Sequence, residues 1–123
     1  MLTLPPTVRI FVGLDPVDMR RSFDGLAAQV RGALDLDPLC GHLFVFVNRG
    51  RTLLKILFFD RSGYTILARR LERGTFQLPR ARDDSRRLEI EPVDLALILE
   101  GIDLGSARRR LRYRRPDLAI PGG

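Results

Sequence analysis

Residues 43–71 read LFVFVNRGRTLLKILFFDRSGYTILARRL. Three apolar runs, Leu43 to Val47, Leu53 to Phe59 and Tyr64 to Leu71, are separated by Asn48-Arg49-Gly50-Arg51 and Asp60-Arg61-Ser62-Gly63. Valine, isoleucine and the aromatics suit a pleated surface, and Asn, Asp and Gly suit the left-handed or locally hydrogen-bonded corners of a turn. Strands joined by links this short pair antiparallel, so the stretch reads as a β-meander. If each turn pairs its flanking residues symmetrically, Val45, Leu54, Ile56, Phe58 and Leu67 share one face. Phe44, Phe46, Leu57, Phe59, Tyr64 and Ile66 then share the other. An antiparallel sheet commonly leaves one face in water. Here both faces are apolar, so both should be covered, one by a first helix and the other by a second helix or a partner subunit.

Upstream, Val8 to Val12 reads as a short strand ended by Gly13. Met19, Phe23, Leu26, Val30 and Leu34 then recur at helical spacing, with Arg20, Arg21, Asp24 and Arg31 on the opposite side. Either Asp15, with Pro16 at the first helical position, or Asp18 suits the cap. Downstream, residues 74–87 read as a loop and Leu88 to Ile90 as a short strand. A second helix follows, with Pro92 in its first turn, Val93, Leu95, Ala96, Ile98 and Leu99 as its apolar side, and Gly101 at its C-cap. The expected fold class is α+β: an antiparallel meander of three main strands plus one or two short strands, packed with two helices. Residues 1–104 form one domain and residues 105–123 an arginine-rich tail.

The chain has 123 residues, 45% of them hydrophobic, enough for one core. No window approaches the ~18–20 apolar residues that cross a bilayer, and residues 1–6 lack a basic stretch followed by an apolar run. With a single cysteine, Cys40, these features lead to the expectation of a soluble, cytoplasmic protein without membrane contact. Net charge is +6, and Lys55 is the only lysine among 21 basic residues. A GC-rich genome explains that ratio as readily as nucleic-acid binding does; the distribution says more. Residues 1–48 hold 4 basic against 5 acidic groups, residues 49–87 hold 11 against 4, and residues 88–123 hold 6 against 6. The excess of 7 in the middle segment is a field that attracts phosphates.

No catalytic residues are expected. Asp15, Asp18 and Asp24 lack a nearby Glu or His to complete a metal site, and capping explains two of them better. Cys40 and His42 have no further Cys or His with which to bind zinc, and one His with one Cys and no glycine-rich phosphate loop offers no nucleophile–base pair. No cofactor and no metal are expected. The candidate DNA-binding residues are Arg49, Arg51, Lys55, Arg61, Arg69, Arg70 and Arg73, with Asn48 and Tyr64 as conceivable base contacts. The alternative is that these arginines form the rim of a protein-docking surface. Arg108 to Arg115 reads as an electrostatic arm of nonspecific affinity.

Several segments together carry a resemblance. They are Asp18-Met19-Arg20-Arg21 with Asp24-Gly25-Leu26, Phe44-Val45-Phe46 with Asn48-Arg49, and Leu54-Lys55-Ile56-Leu57 with Asp60 and Gly63. Arg70-Leu71-Glu72-Arg73-Gly74 with Phe76 and Pro79, and Leu99-Glu100-Gly101-Ile102-Asp103, complete the set. In this order they resemble the TnpB-type accessory proteins, the second reading-frame product, of the insertion-sequence sixty-six family. The resemblance implies an assisting role in DNA transposition beside a separate, catalytic transposase; the basic middle segment adds DNA as an expected partner, and the doubly apolar sheet adds docking on the transposase or, as a homo-oligomer, on a second copy of the chain. The chain departs from the family pattern at Phe58-Phe59, where an aromatic, often Trp, precedes Asp60. It departs again at Ala68-Arg69, where an aromatic and Lys are common, so stacking on bases is not a feature the resemblance carries over.

Overall fold

The computed structural model describes residues 5, 7–81 and 83–102. Its elements are β1 (Ile10–Gly13), α1 (Phe23–Gly32), β2 (Leu43–Val47), β3 (Leu53–Asp60), β4 (Gly63–Arg70), β5 (Arg87–Ile90) and α2 (Pro92–Leu99). The five strands form one sheet in the order β4-β3-β2-β1-β5. β2, β3 and β4 pair antiparallel in sequence order, but β1 lies parallel to β2, and β5 closes the far edge antiparallel to β1. The class is α+β, and the sheet is mixed rather than a purely antiparallel meander. The difference has a physical reason: 29 residues separate β1 from β2, counting from Leu14 to His42, and they hold α1, a crossover long enough to return the chain for parallel pairing.

The register Val45↔Ile56↔Leu67 and Phe44↔Leu57↔Ile66 sets the two faces as the symmetric turns require. On one face Ile10, Val12, Val45, Val47, Leu54 and Ile56 pack with Leu95 and Ile98 of α2 and with Phe76. On the other, Phe11, Phe44, Phe46 and Leu57 pack with Leu26, Ala27 and Val30 of α1 and with Val17 and Leu34. β1 and β2 are buried along their whole length, as strands covered on both faces must be.

α1 starts later than its apolar stripe suggests, and neither Asp15 nor Asp18 caps it. The N-cap is Ser22, whose side chain makes no capping bond. The preceding residues are held by one local and several tertiary bonds instead. Val17 N–H donates to Val47 C=O, Arg20 N–H donates to the Asp18 carboxylate, and the Lys55 ammonium donates to the carbonyls of Met19 and Arg21 at 2.8 and 3.0 Å. A short acidic side chain bonded to a nearby amide competes with helix formation, and here it prevails. Met19 still packs on the α1 side of the core.

α2 follows its sequence signals more closely. Pro92 sits in its first turn, and Glu91 and Asp94 form a reciprocal capping box in which Asp94 Oδ2 accepts from Glu91 N–H at 3.1 Å. Gly101 has φ +74°, the left-handed conformation of a helix terminator.

A candidate nucleic-acid interface

Because β1 and β2 run parallel, both end at the same rim of the sheet. β3 begins there, β4 ends there, and β5 begins there, with Gly13 opposite Arg87, Val47 opposite Leu54 and Leu53 opposite Arg70. Segments far apart in sequence therefore meet: residues 14–22, the 48–52 turn, the stretch after β4, and Arg86. Backbone bonds lock them. Leu14 N–H donates to Arg86 C=O, Leu71 N–H to Thr52 C=O and Phe76 N–H to Arg51 C=O, the last at 2.7 Å.

The 48–52 turn is held by Asn48. Its Oδ1 accepts from Thr52 N–H and Leu53 N–H at 2.9 and 3.1 Å, and its Nδ2 donates to Thr52 Oγ1. The amide is thus committed to shaping the turn, and the turn holds Arg49 and Arg51 in solvent. Arg51 has φ +57°, a left-handed backbone that costs a residue with a Cβ roughly 1–2 kcal/mol. An open cleft of about 640 Å³ lies beside the turn, lined among others by Asp18, Arg20, Asn48 and Arg49.

The seven candidate residues divide into three groups. Arg49, Arg51 and Arg73 are exposed at this rim and have no ion-pair partner among the described residues. Arg70 is at the same rim and bonds Glu72 at 2.9 Å, with both side chains about three-quarters exposed. An ion pair so exposed stabilises by at most about 1 kcal/mol, so a phosphate can displace the carboxylate.

Lys55, Arg69 and Arg61 are placed differently. Lys55 is half-buried and holds the approach to α1, as described above. Arg69 donates to Leu99 C=O at 2.6 Å and to Glu100 at 3.1 Å, tying β4 to the C-terminal end of α2, where a cation suits the helix dipole. Arg61, at φ +58°, occupies the β3–β4 turn at the opposite rim. The eight-residue strands place it roughly 25 Å away at about 3.3 Å per residue. Tyr64 packs edge-on against Phe59 at 5.3 Å between ring centroids and lies against the α1-side core.

Two rim arginines escape the sequence reading of the site. Arg20 pairs with Asp18 at 2.6 Å while its own side chain is 91% exposed, and Arg86 pairs with Asp15 at 2.7 Å. Arg20 lies in one of the quoted motif segments, but only the parallel β1–β2 step brings it beside Arg49. Hydrogen bonds from the Arg20 guanidinium and backbone N–H hold the Asp18 carboxyl down at about 2. Away from the rim, Arg9 forms a two-point pair with Glu89 that lowers the glutamate and raises the arginine, and the guanidinium lies 5.0 Å from the Phe11 ring centroid.

Cys40 is exposed, and His42 Nδ1 accepts from Arg9 N–H. Among the described residues no three His, Cys, Asp or Glu side chains gather where they could hold a metal ion, and no helix is long and apolar enough to cross a membrane. The Arg108 to Arg115 cluster lies outside the described residues, as does the expected tail.

Fold and site together define a small helix-covered mixed-sheet protein in which Arg49, Arg51 and Arg73, exposed and without an ion-pair partner among the described residues, meet at one rim. The chain belongs to the IS66 Orf2-like family, whose pattern matches residues 8–109, and that family associates it with insertion-sequence transposition as an accessory protein. Two uncharacterized proteins of Sinorhizobium fredii, y4hO and y4jC, are similar to it. They are 39% and 36% identical over 103 residues, covering 84% of this chain and 88% and 86% of theirs. No solved structure matches the chain.

Proposed function

We propose that the chain is a non-catalytic accessory factor of transposition that grips duplex DNA by its phosphates at the β1–β2 rim, in the cytoplasm, while a separate transposase performs the chemistry. The observation that carries this reading is the convergence of Arg49, Arg51 and Arg73, exposed and without ion-pair partners among the described residues, on backbone stapled by the Thr52–Leu71 and Arg51–Phe76 bonds. Arg70 and Arg20 flank them in surface pairs that a phosphate can replace. Guanidinium forks on rigid turns suit phosphate oxygens, and they position a duplex without reading its sequence. The test is the salt dependence of duplex affinity in the whole chain and in a variant lacking the three free arginines.

A second reading, an adaptor that docks on the transposase without touching DNA, draws on the charges the fold already satisfies: Arg69 on Glu100 and Leu99, and Lys55 on two carbonyls. Co-purification with the transposase in nuclease-treated extract, with no measurable duplex affinity at low salt, is the outcome that favours it.

A further inference from the structure

β4 is an edge strand eight residues long, and its outer side carries no neighbour among the described strands. Proteins usually guard such an edge with proline, a bulge, inward charges or brevity. Here the β3–β4 register runs unbroken from Leu53↔Arg70 to Asp60↔Gly63, so no bulge twists the edge away. Tyr64-Thr65-Ile66-Leu67-Ala68 contains neither proline nor charge, and Leu67 is 42% exposed, a large apolar side chain left in water in mid-strand. The opposite edge, β5, has four residues, including Arg87 and Glu89.

We propose that β4 pairs antiparallel with β4 of a second copy of this chain, joining two sheets into one. Three features of the strand favour a second copy as the occupant. An antiparallel edge complements itself about a two-fold axis normal to the sheet, which keeps each helix-covered face continuous with the same face of the partner. With the axis at Leu67, the two Leu67 side chains meet as a directly opposed pair, and Ile66 falls opposite Ala68 of the other copy. Charge sets the direction: parallel pairing would stack Arg69 and Arg70 on their own counterparts. Antiparallel pairing about Leu67 instead sets Arg69 opposite the uncharged Thr65 and Arg70 opposite the uncharged Tyr64 of the other copy, beside a turn whose Asp60 and Arg61 carry opposite charges. The proposal does not rest on DNA binding: Arg49, Arg51 and Arg73 lie outside β4, and of the rim arginines named above β4 holds Arg70, at its last position.

Sedimentation of the full chain tests it. At 14.0 kDa per chain, the mass should rise toward twice that value as concentration increases through the micromolar range. Leu67→Lys, at a position already exposed in the monomer, should remain folded by circular dichroism and sediment as a monomer, because it places two ammonium groups across the axis. Hydrogen exchange at residues 64–68 should slow with rising concentration in the native chain and not in the variant. A chain that stays monomeric at 100 µM or above, or a dimer that survives Leu67→Lys, overturns the proposal. An unchanged salt slope for DNA binding in Leu67→Lys separates this result from the fate of the rim reading.

Discussion

Replacing Arg49 with alanine, Arg51 with asparagine and Arg73 with alanine in one variant should abolish most of the salt dependence of duplex binding. Asparagine is chosen at position 51 because it tolerates the φ of +57° that the turn imposes there. Each neutralised phosphate contributes about −0.9 to the slope of log affinity against log salt, so the three unpaired arginines together give about −2.7. A fourfold rise in salt, from about 50 to 200 mM, should then weaken binding by roughly 40-fold. If Arg70 and Arg20 also exchange Glu72 and Asp18 for phosphates, five contacts give a slope of about −4.5. Fluorescence anisotropy of a labelled duplex, titrated at four or more salt concentrations, measures this directly. The triple variant should lose about 2.7 from the native slope and should bind equally less well to unrelated sequences, because phosphate contacts carry no base information. A native slope near zero, or a variant that keeps the native slope, would refute the reasoning.

Three further outcomes follow from the packing and the charges. Lys55→Met retains the aliphatic stem but removes the ammonium from the Met19 and Arg21 carbonyls; it should lower unfolding free energy by about 2 kcal/mol in urea titration while leaving the DNA salt slope unchanged. Phe76→Ala empties a fully buried site under α2 and should cost about 3–5 kcal/mol, a large share of the stability of a domain this size, read as a fall in the denaturation midpoint. The Asp18 carboxyl should titrate near pH 2 by NMR, and Arg20→Ala should return it toward the ordinary value of 3.8. Since the folded-state value is depressed, the Asp18–Arg20 pair stabilises fully above the ordinary carboxylate range, and its contribution fades as pH falls through about 2.

Much of the fold is legible from residues 43–71. The turn residues Asn48 and Asp60-Gly63 set the register, and the period of two then assigns Val45, Ile56 and Leu67 to one face and Phe44, Leu57 and Ile66 to the other. Two apolar faces require two covers, and α1 and α2 supply them. The start of α1 is less legible, because the competition there is between a local helical period and bonds to Val47 and Lys55, which are distant in sequence. The parallel placement of β1 is also hidden, since its apolar run pairs equally well in either direction.

The site divides along the same line. Composition and order along the chain establish that positive charge gathers in residues 49–87 and that Arg49 and Arg51 share a turn, because these are properties of sequence neighbours. Which charges face solvent is decided by tertiary structure alone. Lys55 and Arg69 are drawn onto backbone carbonyls, Arg61 is carried to the far rim by the length of β3, and Arg20 is brought to Arg49 by the β1–α1–β2 crossover. Local pattern records the spacing of side chains along one strand or helix; the pairing partner of a guanidinium depends on which distant segment the core packing brings within hydrogen-bond reach.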